Sequence, residues 1–246
     1  MWTDIVDLRD FYASAIGQTA RRLIRRRLRQ FWPDVAGQNL LGIGFATPYL
    51  STFRSEAARL AALMPAAQGV MQNEEEILGY SFLADETSLP LPDCSIDRLL
   101  IIHALESTDN PRGLLREAWR VLTDSGRLLV IVPNRRGIWA RMEATPFGNG
   151  RPYGAGQINR LLRDSLFMPM QSGSALFMPP LQSRVLLGSA AAWEKIGEAW
   201  LSSFGGVMLV EAAKQIYCAN PLREVTKQKG GYLVLPSGAQ PQTRNR

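Results

Sequence analysis

Cysteine and histidine are almost missing from this chain. Its 246 residues hold two cysteines, Cys94 and Cys218, and one histidine, His103. Two cysteines with no Cys-x-x-Cys pair argue against a disulfide framework and a zinc site, and favour a reducing compartment. One histidine excludes a histidine-rich metal centre, so no metal is expected. A Ser-His-Asp triad would have to be built on His103, and nothing near it reads as a nucleophile elbow. No apolar run approaches the ~18 residues of a transmembrane helix. The start, Met-Trp-Thr-Asp-Ile-Val-Asp, lacks the basic and then apolar pattern of a secretion signal, so a cytoplasmic location is expected. What is present is ordinary for a globular α/β protein with a substantial core: 46% apolar and 20% charged residues.

Charge is unevenly spread. The formal net charge is +6, and Arg21, Arg22, Arg25, Arg26, Arg27 and Arg29 crowd into one short segment. Leu23, Ile24, Leu28 and Phe31 interleave with them, which predicts an amphipathic basic helix. Such a helix suits contact with RNA, an anionic lipid surface or an acidic protein, and it equally suits a surface helix with a solvated basic face.

From residue 39 onward, apolar strand-like runs alternate with helical patterns, as in a mostly parallel sheet with helices on both faces. Strands are predicted at about 39–43, 60–64, 81–84, 96–103 and 127–133. Pro48 opens a helix with Thr47 as its N-cap, and Asn110 caps a second that starts at Pro111. Leu114, Leu115, Ala118, Trp119 and Leu122 keep that second helix amphipathic. Asp124-Ser125-Gly126 turns the chain into the fifth strand. Residues 134–153 form a Gly/Pro/Arg-rich connection long enough to be a lid or acceptor loop. Beyond it a helix is predicted over 156–167, a strand over 175–178, a helix over 189–204 and a last strand over 207–217. Residues 66–80 carry no clear pattern, and 220–246 form a polar tail. The organisation is a basic helical segment (1–35), an α/β domain (36–219) and that tail.

Functional information concentrates in residues 39–50. An apolar run ends in Gly42-Ile43-Gly44, and a helix follows, the arrangement in which free helix N–H groups and bare backbone face a nucleotide-type ligand. A nicotinamide dinucleotide fits poorly, because the third glycine of that fingerprint would be Thr47 and no acidic residue follows about 20 positions on. His103 reads as either an active-site contact or a satisfied buried imidazole. Arg135, Arg136, Arg141 and Arg151 read as recognition of an anionic acceptor or as salt bridges of the lid.

The ordered set Gly42-x-Gly44, Asp85 before Leu89-Pro90, Ser95-Ile96-Asp97 and His103-Ala104-Leu105-Glu106, followed by the 114–122 helix and the turn at Gly126, resembles class I S-adenosylmethionine-dependent methyltransferases of the small-molecule type. Their Asp-Ala-x-x-Leu-Pro-Phe loop reads here as Asp85-Glu86-Thr87-Ser88-Leu89-Pro90-Leu91. A narrower similarity runs through Leu41–Leu50, Val132–Gly137 and Thr145–Tyr153. It is to a bacterial methyltransferase-like group encoded beside glyoxalase II-type hydrolases.

The resemblance implies a Rossmann-like fold with a seven-stranded, mostly parallel sheet, and S-adenosylmethionine as cofactor. It implies that Leu41, Gly42 and Gly44 line the methionine and ribose, that Asp85 and Glu86 meet the adenine, and that His103 lies near the methyl group or its acceptor. His103 is then the candidate general base. Met64 stands about where the family's ribose-binding carboxylate belongs, Leu40 replaces the first-strand carboxylate, and Ala46 replaces a glycine. A charged hydrogen bond contributes roughly 1.5–3 kcal/mol, so the missing ribose partner weakens binding by about 10–100-fold. The expected function is methyl transfer to a small-molecule or protein acceptor. The other reading is an inactive methyltransferase fold used as a binding or regulatory module; nucleic-acid modification ranks last.

Overall fold

A computed structural model describes residues 5–66, 80–181 and 187–216. The acidic run 74–76 and the polar segment 220–246 lie outside the described residues. Seven strands form one sheet: β1 (Asn39–Gly44), β2 (Arg59–Pro65), β3 (Tyr80–Ala84), β4 (Ile96–Ile102), β5 (Leu122–Pro133), β6 (Phe167–Ala175) and β7 (Val207–Lys214), in the order β3-β2-β1-β4-β5-β7-β6. The first five are parallel, and β7 runs antiparallel to both β5 and β6. The helices are α1 (Ile5–Ala13), α2 (Ala15–Phe31), α3 (Thr47–Leu50), α4 (Pro111–Val121), α5 (Ala155–Asp164) and α6 (Ala190–Trp200). The expected seven-stranded α/β architecture is the one observed.

Strand alternation explains the two layers. Leu100 and Ile102 of β4 and Leu129 and Ile131 of β5 join a cluster with Leu8, Ala20, Leu23, Ile24 and Leu28 of α1 and α2, together with Leu50 and Ala190. Their neighbours Leu99, Ile101, Leu128, Val130 and Val132 point the other way and join Leu114, Leu115 and Ala118 of α4 and Ile158 and Leu162 of α5. Period-two side chains on strands covered on both faces read as continuous apolar runs, which is why these strands stood out in the sequence.

Local signals behave as their chemistry requires, with two corrections. Asn110 caps α4 as expected, its Oδ1 accepting the Gly113 N–H at 2.9 Å. Asp97 ties the start of β1 to β4 by accepting the Asn39 N–H at 2.9 Å. The turn at 124–126 is a bulge inside β5, where pairing jumps from Ile96–Leu122 to Arg98–Arg127. Thr47, expected as an N-cap, is instead inside α3, and Ala46 stands at the cap without a side-chain hydrogen bond. The glycine turn is so tight that the Ala46 N–H donates to Gly44 O at 2.8 Å, which starts the helix one residue early. The strand expected over 175–178 is displaced: β6 ends at Ala175. It lies at the sheet's edge, where Pro169 is tolerated beside a register shift between Pro169 and Gln171.

Candidate functional site

The chain runs from β1 outward to β2 and β3, then returns to place β4 on the other side of β1. Between the carboxyl ends of β1 and β4 the winding reverses, the position at which open α/β sheets bind ligands. Two sequence-nominated residues meet there. Gly44 ends β1 with φ +88°, and a Cβ on it would fall 2.1 Å from Ile102 O. The Phe45 N–H donates to that same carbonyl at 3.1 Å, stitching the glycine turn to the end of β4. His103 follows with φ +55°, a left-handed conformation uncommon for a residue with a side chain and frequent at functional sites.

The imidazole of His103 is buried in a polar relay. Its Nε2 lies 2.7 Å from Tyr12 Oη, and Tyr49 Oη donates to Tyr12 Oη at 2.7 Å. The two hydroxyls and the imidazole thus form one buried hydrogen-bonded chain. Nδ1 lies 3.2 Å from Glu106 Oε1, close enough for an ion pair but without hydrogen-bond alignment. Glu106 is 3% exposed, and neither of its carboxylate oxygens has a hydrogen-bond partner among the described residues. Burial pushes the Tyr12 and Tyr49 hydroxyls well above the ordinary tyrosine range. Aromatic rings close the site: Phe45 stacks on Tyr12 at 5.2 Å, and Phe147 lies 5.1 Å from His103.

Three segments hold this cluster in place. Helix α1 delivers Tyr12, the short α3 delivers Tyr49, and the 134–153 connection delivers Phe147. That connection is pinned by the Arg151 N–H donating to Glu106 O at 2.8 Å and by Tyr153 Oη donating to Leu105 O at 3.2 Å. A Cβ on Gly150 would lie 2.6 Å from Glu106 O, so glycine permits the close approach.

The other nominated residues spread along the same sheet edge or into the core. Gly42 makes room for its own helix: a Cβ there would meet Ala46 Cβ at 2.4 Å and Leu50 Cδ1 at 2.6 Å. Leu41 is buried in the α4–α5 layer. Met64 is buried near the end of β2. Asp85 is exposed just past β3; its Oδ1 accepts from the N–H and hydroxyl of Thr87, both at 2.7 Å, and these bonds lower its pKa. Glu86 accepts from Thr108 Oγ1 at 3.0 Å, which links the loop after β3 to the loop after β4. Sequence reasoning passed over Tyr12, Tyr49 and Phe147 as site residues. Tyr12 is 91 residues from His103, and its place in an amphipathic N-terminal helix carried no sign of what it would reach.

A family model for a methyltransferase domain matches residues 41–130, from β1 through α4 into β5. The chain has the class I methyltransferase fold. A S-adenosylmethionine-dependent methyltransferase of Thermotoga maritima superposes with TM-score 0.62 at 16% identity, covering 86% of this chain and 96% of that one. The geranyl diphosphate C-methyltransferase of Streptomyces coelicolor A3(2), solved with Mg2+, geranyl diphosphate and S-adenosyl-L-homocysteine, gives TM-score 0.53 at 13% identity, over 77% and 78% of the two chains. In sequence, the uncharacterised protein YafS of Escherichia coli (strain K12) is 31% identical over 115 residues. That stretch is 46% of this chain and 43% of YafS, so the match spans less than half of the relative's length. The methyltransferase-domain match begins at Leu41 and takes in Gly44, Asp85 and the whole His103–Glu106 segment, but leaves out α1 and Tyr12.

Proposed function

We propose that this protein is an S-adenosylmethionine-dependent methyltransferase whose cofactor lies along the carboxyl ends of β1 to β4, with the acceptor beneath α1 and the 134–153 connection. The observation that carries the reading is the meeting of the Gly44 turn with His103 and Glu106 at the winding reversal. The residues fit such a ligand in kind. A buried carboxylate with no hydrogen-bond partner suits a cationic guest, and Thr47 Oγ1, beside the glycine turn, is a second buried polar atom without a partner. On this reading Leu41, Gly42 and Gly44 present backbone to the methionine and ribose, Met64 gives the ribose an apolar neighbour, and Asp85 and Glu86 take the adenine. The similarity to the group encoded beside glyoxalase II-type hydrolases belongs to the same reading, on the residue runs given above.

S-adenosylmethionine, when bound, supplies an electrophilic methyl group on a sulfonium. The chain's own contribution is alignment and proton handling. Tyr12 is hydrogen-bonded to His103 Nε2, and on this reading a proton leaving the acceptor passes to the imidazole through the Tyr12 hydroxyl. Glu106 stabilises the imidazolium that forms. Phe45, Phe147 and Tyr12 exclude water from the same space, which strengthens each of these interactions.

Thermal unfolding with S-adenosylhomocysteine tests the reading. Without a ribose carboxylate, binding in the tens to hundreds of micromolar is expected. Millimolar ligand should then raise the midpoint by roughly 3–10 °C. Loss of that shift in Asp85→Ala supports the placement of the adenine, and no shift at millimolar ligand overturns the proposal. The reading of the fold as a binding module draws on Met64 and Leu40 in place of carboxylates. A chain that binds the ligand yet transfers no methyl group to any acceptor supplied would favour it.

A further inference from the structure

Helix α6 is packed the wrong way round for a surface helix. Its inward positions are small or polar: Ala190 is buried, Gly197 lies against the Phe177 ring, and Glu194 Oε1 accepts the Phe177 N–H at 2.7 Å. Its outward stripe is Trp193, Ile196 and Trp200, spaced i, i+3 and i+7. Ile196 is 57% and Trp200 84% exposed, and the stripe continues through Leu201 and Phe204 to the start of β7. Contiguous exposed apolar surface of this kind marks an interaction site.

The neighbouring helix supplies the charge. Helices α2 and α6 cover the same face of the sheet, and Arg27 of α2 pairs with Glu198 of α6. On its other flank α2 is tied down by Arg25 to Thr52 and by Arg29 to Glu56. Between those flanks Arg22 and Arg26 are exposed and point away from the sheet, and α2 contains no acidic residue at all. The layer therefore presents aromatic and aliphatic side chains beside guanidinium groups.

We infer that this face docks on an anionic lipid bilayer. Tryptophan, isoleucine and phenylalanine settle at the boundary between headgroups and acyl chains, and flanking arginines meet the phosphates. A second copy of the chain is a poorer match, because a two-fold contact would set Arg22 and Arg26 against their own equivalents in a protein that already carries +6. Phe204 lies just before Val207, which pairs with Pro133 at the carboxyl end of β5. The stripe thus ends at the same sheet edge as His103, which follows Ile102 of β4 beside β5.

Vesicle co-sedimentation of the full chain is the test, with one-third phosphatidylglycerol in phosphatidylcholine against phosphatidylcholine alone. Binding is expected only with the anionic vesicles, weakening as salt is raised, and with a blue shift of tryptophan emission that Trp200→Phe diminishes. Arg22→Gln with Arg26→Gln should weaken partitioning about 30-fold. Trp200→Ala with Ile196→Ser should weaken it on the order of tenfold. These side chains are exposed, so unchanged melting midpoints will show that the variants still fold. Absence of binding at millimolar lipid, or equal binding by all variants, overturns the inference. So does a Trp200-dependent dimer in sedimentation velocity with no affinity for vesicles, which would give the stripe to a second copy.

Discussion

Tyr12 Oη sits 2.7 Å from both Tyr49 Oη and His103 Nε2, so one hydroxyl satisfies two buried groups at once. Removing it takes a hydrogen-bond partner from both, whereas removing the Tyr49 hydroxyl leaves the bond to His103 in place. An unsatisfied buried polar group costs about 1–3 kcal/mol, and an ordinary hydrogen bond contributes about 1 kcal/mol. Tyr12→Phe should therefore destabilise more than Tyr49→Phe in urea unfolding, and the double variant should cost less than the sum of the two. Equal costs would mean that the relay is not a unit. The same residues set an alkaline limit. Tyr12 and Tyr49 are held protonated, chiefly by burial, so their folded pKa values lie above the unfolded value of about 10. Their contribution to stability is intact below pH ~10 and falls as pH rises beyond it, because only the unfolded chain then releases those protons. Absorbance at 295 nm should show Tyr12 and Tyr49 titrating late, together with the partly buried Tyr153. The lag should vanish on unfolding, and Tyr49→Phe should flatten the loss of stability above pH 10.

At the scale of elements, Arg120 on α4 holds the stretch that follows the Asp85 loop. Its guanidinium donates to Leu89 O and Leu91 O, both at 2.8 Å, and to Glu117 and Asp93. Glu117 in turn accepts the Leu89 N–H at 2.8 Å, and the Arg120 bonds hold its carboxyl below the usual glutamate range. That contribution is present above the unfolded glutamate value of about 4.3 and is lost as pH falls toward the depressed folded value. Arg120→Ala should speed amide exchange from Asp85 to Asp93 with little change in β4, and Arg120→Lys should restore only part, because a point charge cannot fork to two carbonyls. Equal exchange in wild type and Arg120→Ala would assign the loop's order to Leu89 packing instead. Legibility at this scale follows burial. Strands β1, β2 and β4 and the 127–133 half of β5 could be placed within a few residues because most of their residues are apolar and buried. The edge strand β6, Phe-Met-Pro-Met-Gln-Ser-Gly-Ser-Ala, breaks that pattern with a proline and a polar run. Its strand character comes from pairing with β7, which no local signal announces. Thr47 failed as a cap for a similar reason, since the glycine turn already supplied the geometry.

Across the whole molecule, the nominated residues that were legible are those on strand ends: Gly44, Asp85 and His103 stand at or just past the ends of β1, β3 and β4. The part of the site that comes from the N-terminal helices was not, because helix periodicity says which face is buried and nothing about what it covers. Helix α1 buries Ile5, Leu8 and Tyr12 in the same cluster as β4 and β5, so it is at once a piece of core and the cover of His103. A cover must open for an acceptor to enter, and elements that open are drawn from the less stable parts of a fold. Helix α1 has nine residues, too few to be helical on their own in water, so its order rests on those contacts and on Phe11, which packs against the same cluster. Leu8 is fully buried and distant in sequence from every strand. Leu8→Ala should lower the opening free energy of α1 by about 2–4 kcal/mol. Amide exchange at Phe11 and Tyr12 should accelerate correspondingly, while exchange in β4 and β5 follows only the smaller change in global stability. If the protein has no cover function to serve, α1 and the central strands will exchange through one global unfolding event, and Leu8→Ala will shift them together. Separate opening of α1, suppressed by S-adenosylhomocysteine only when Tyr12 is intact, would tie the helix to the site through the hydroxyl that joins them.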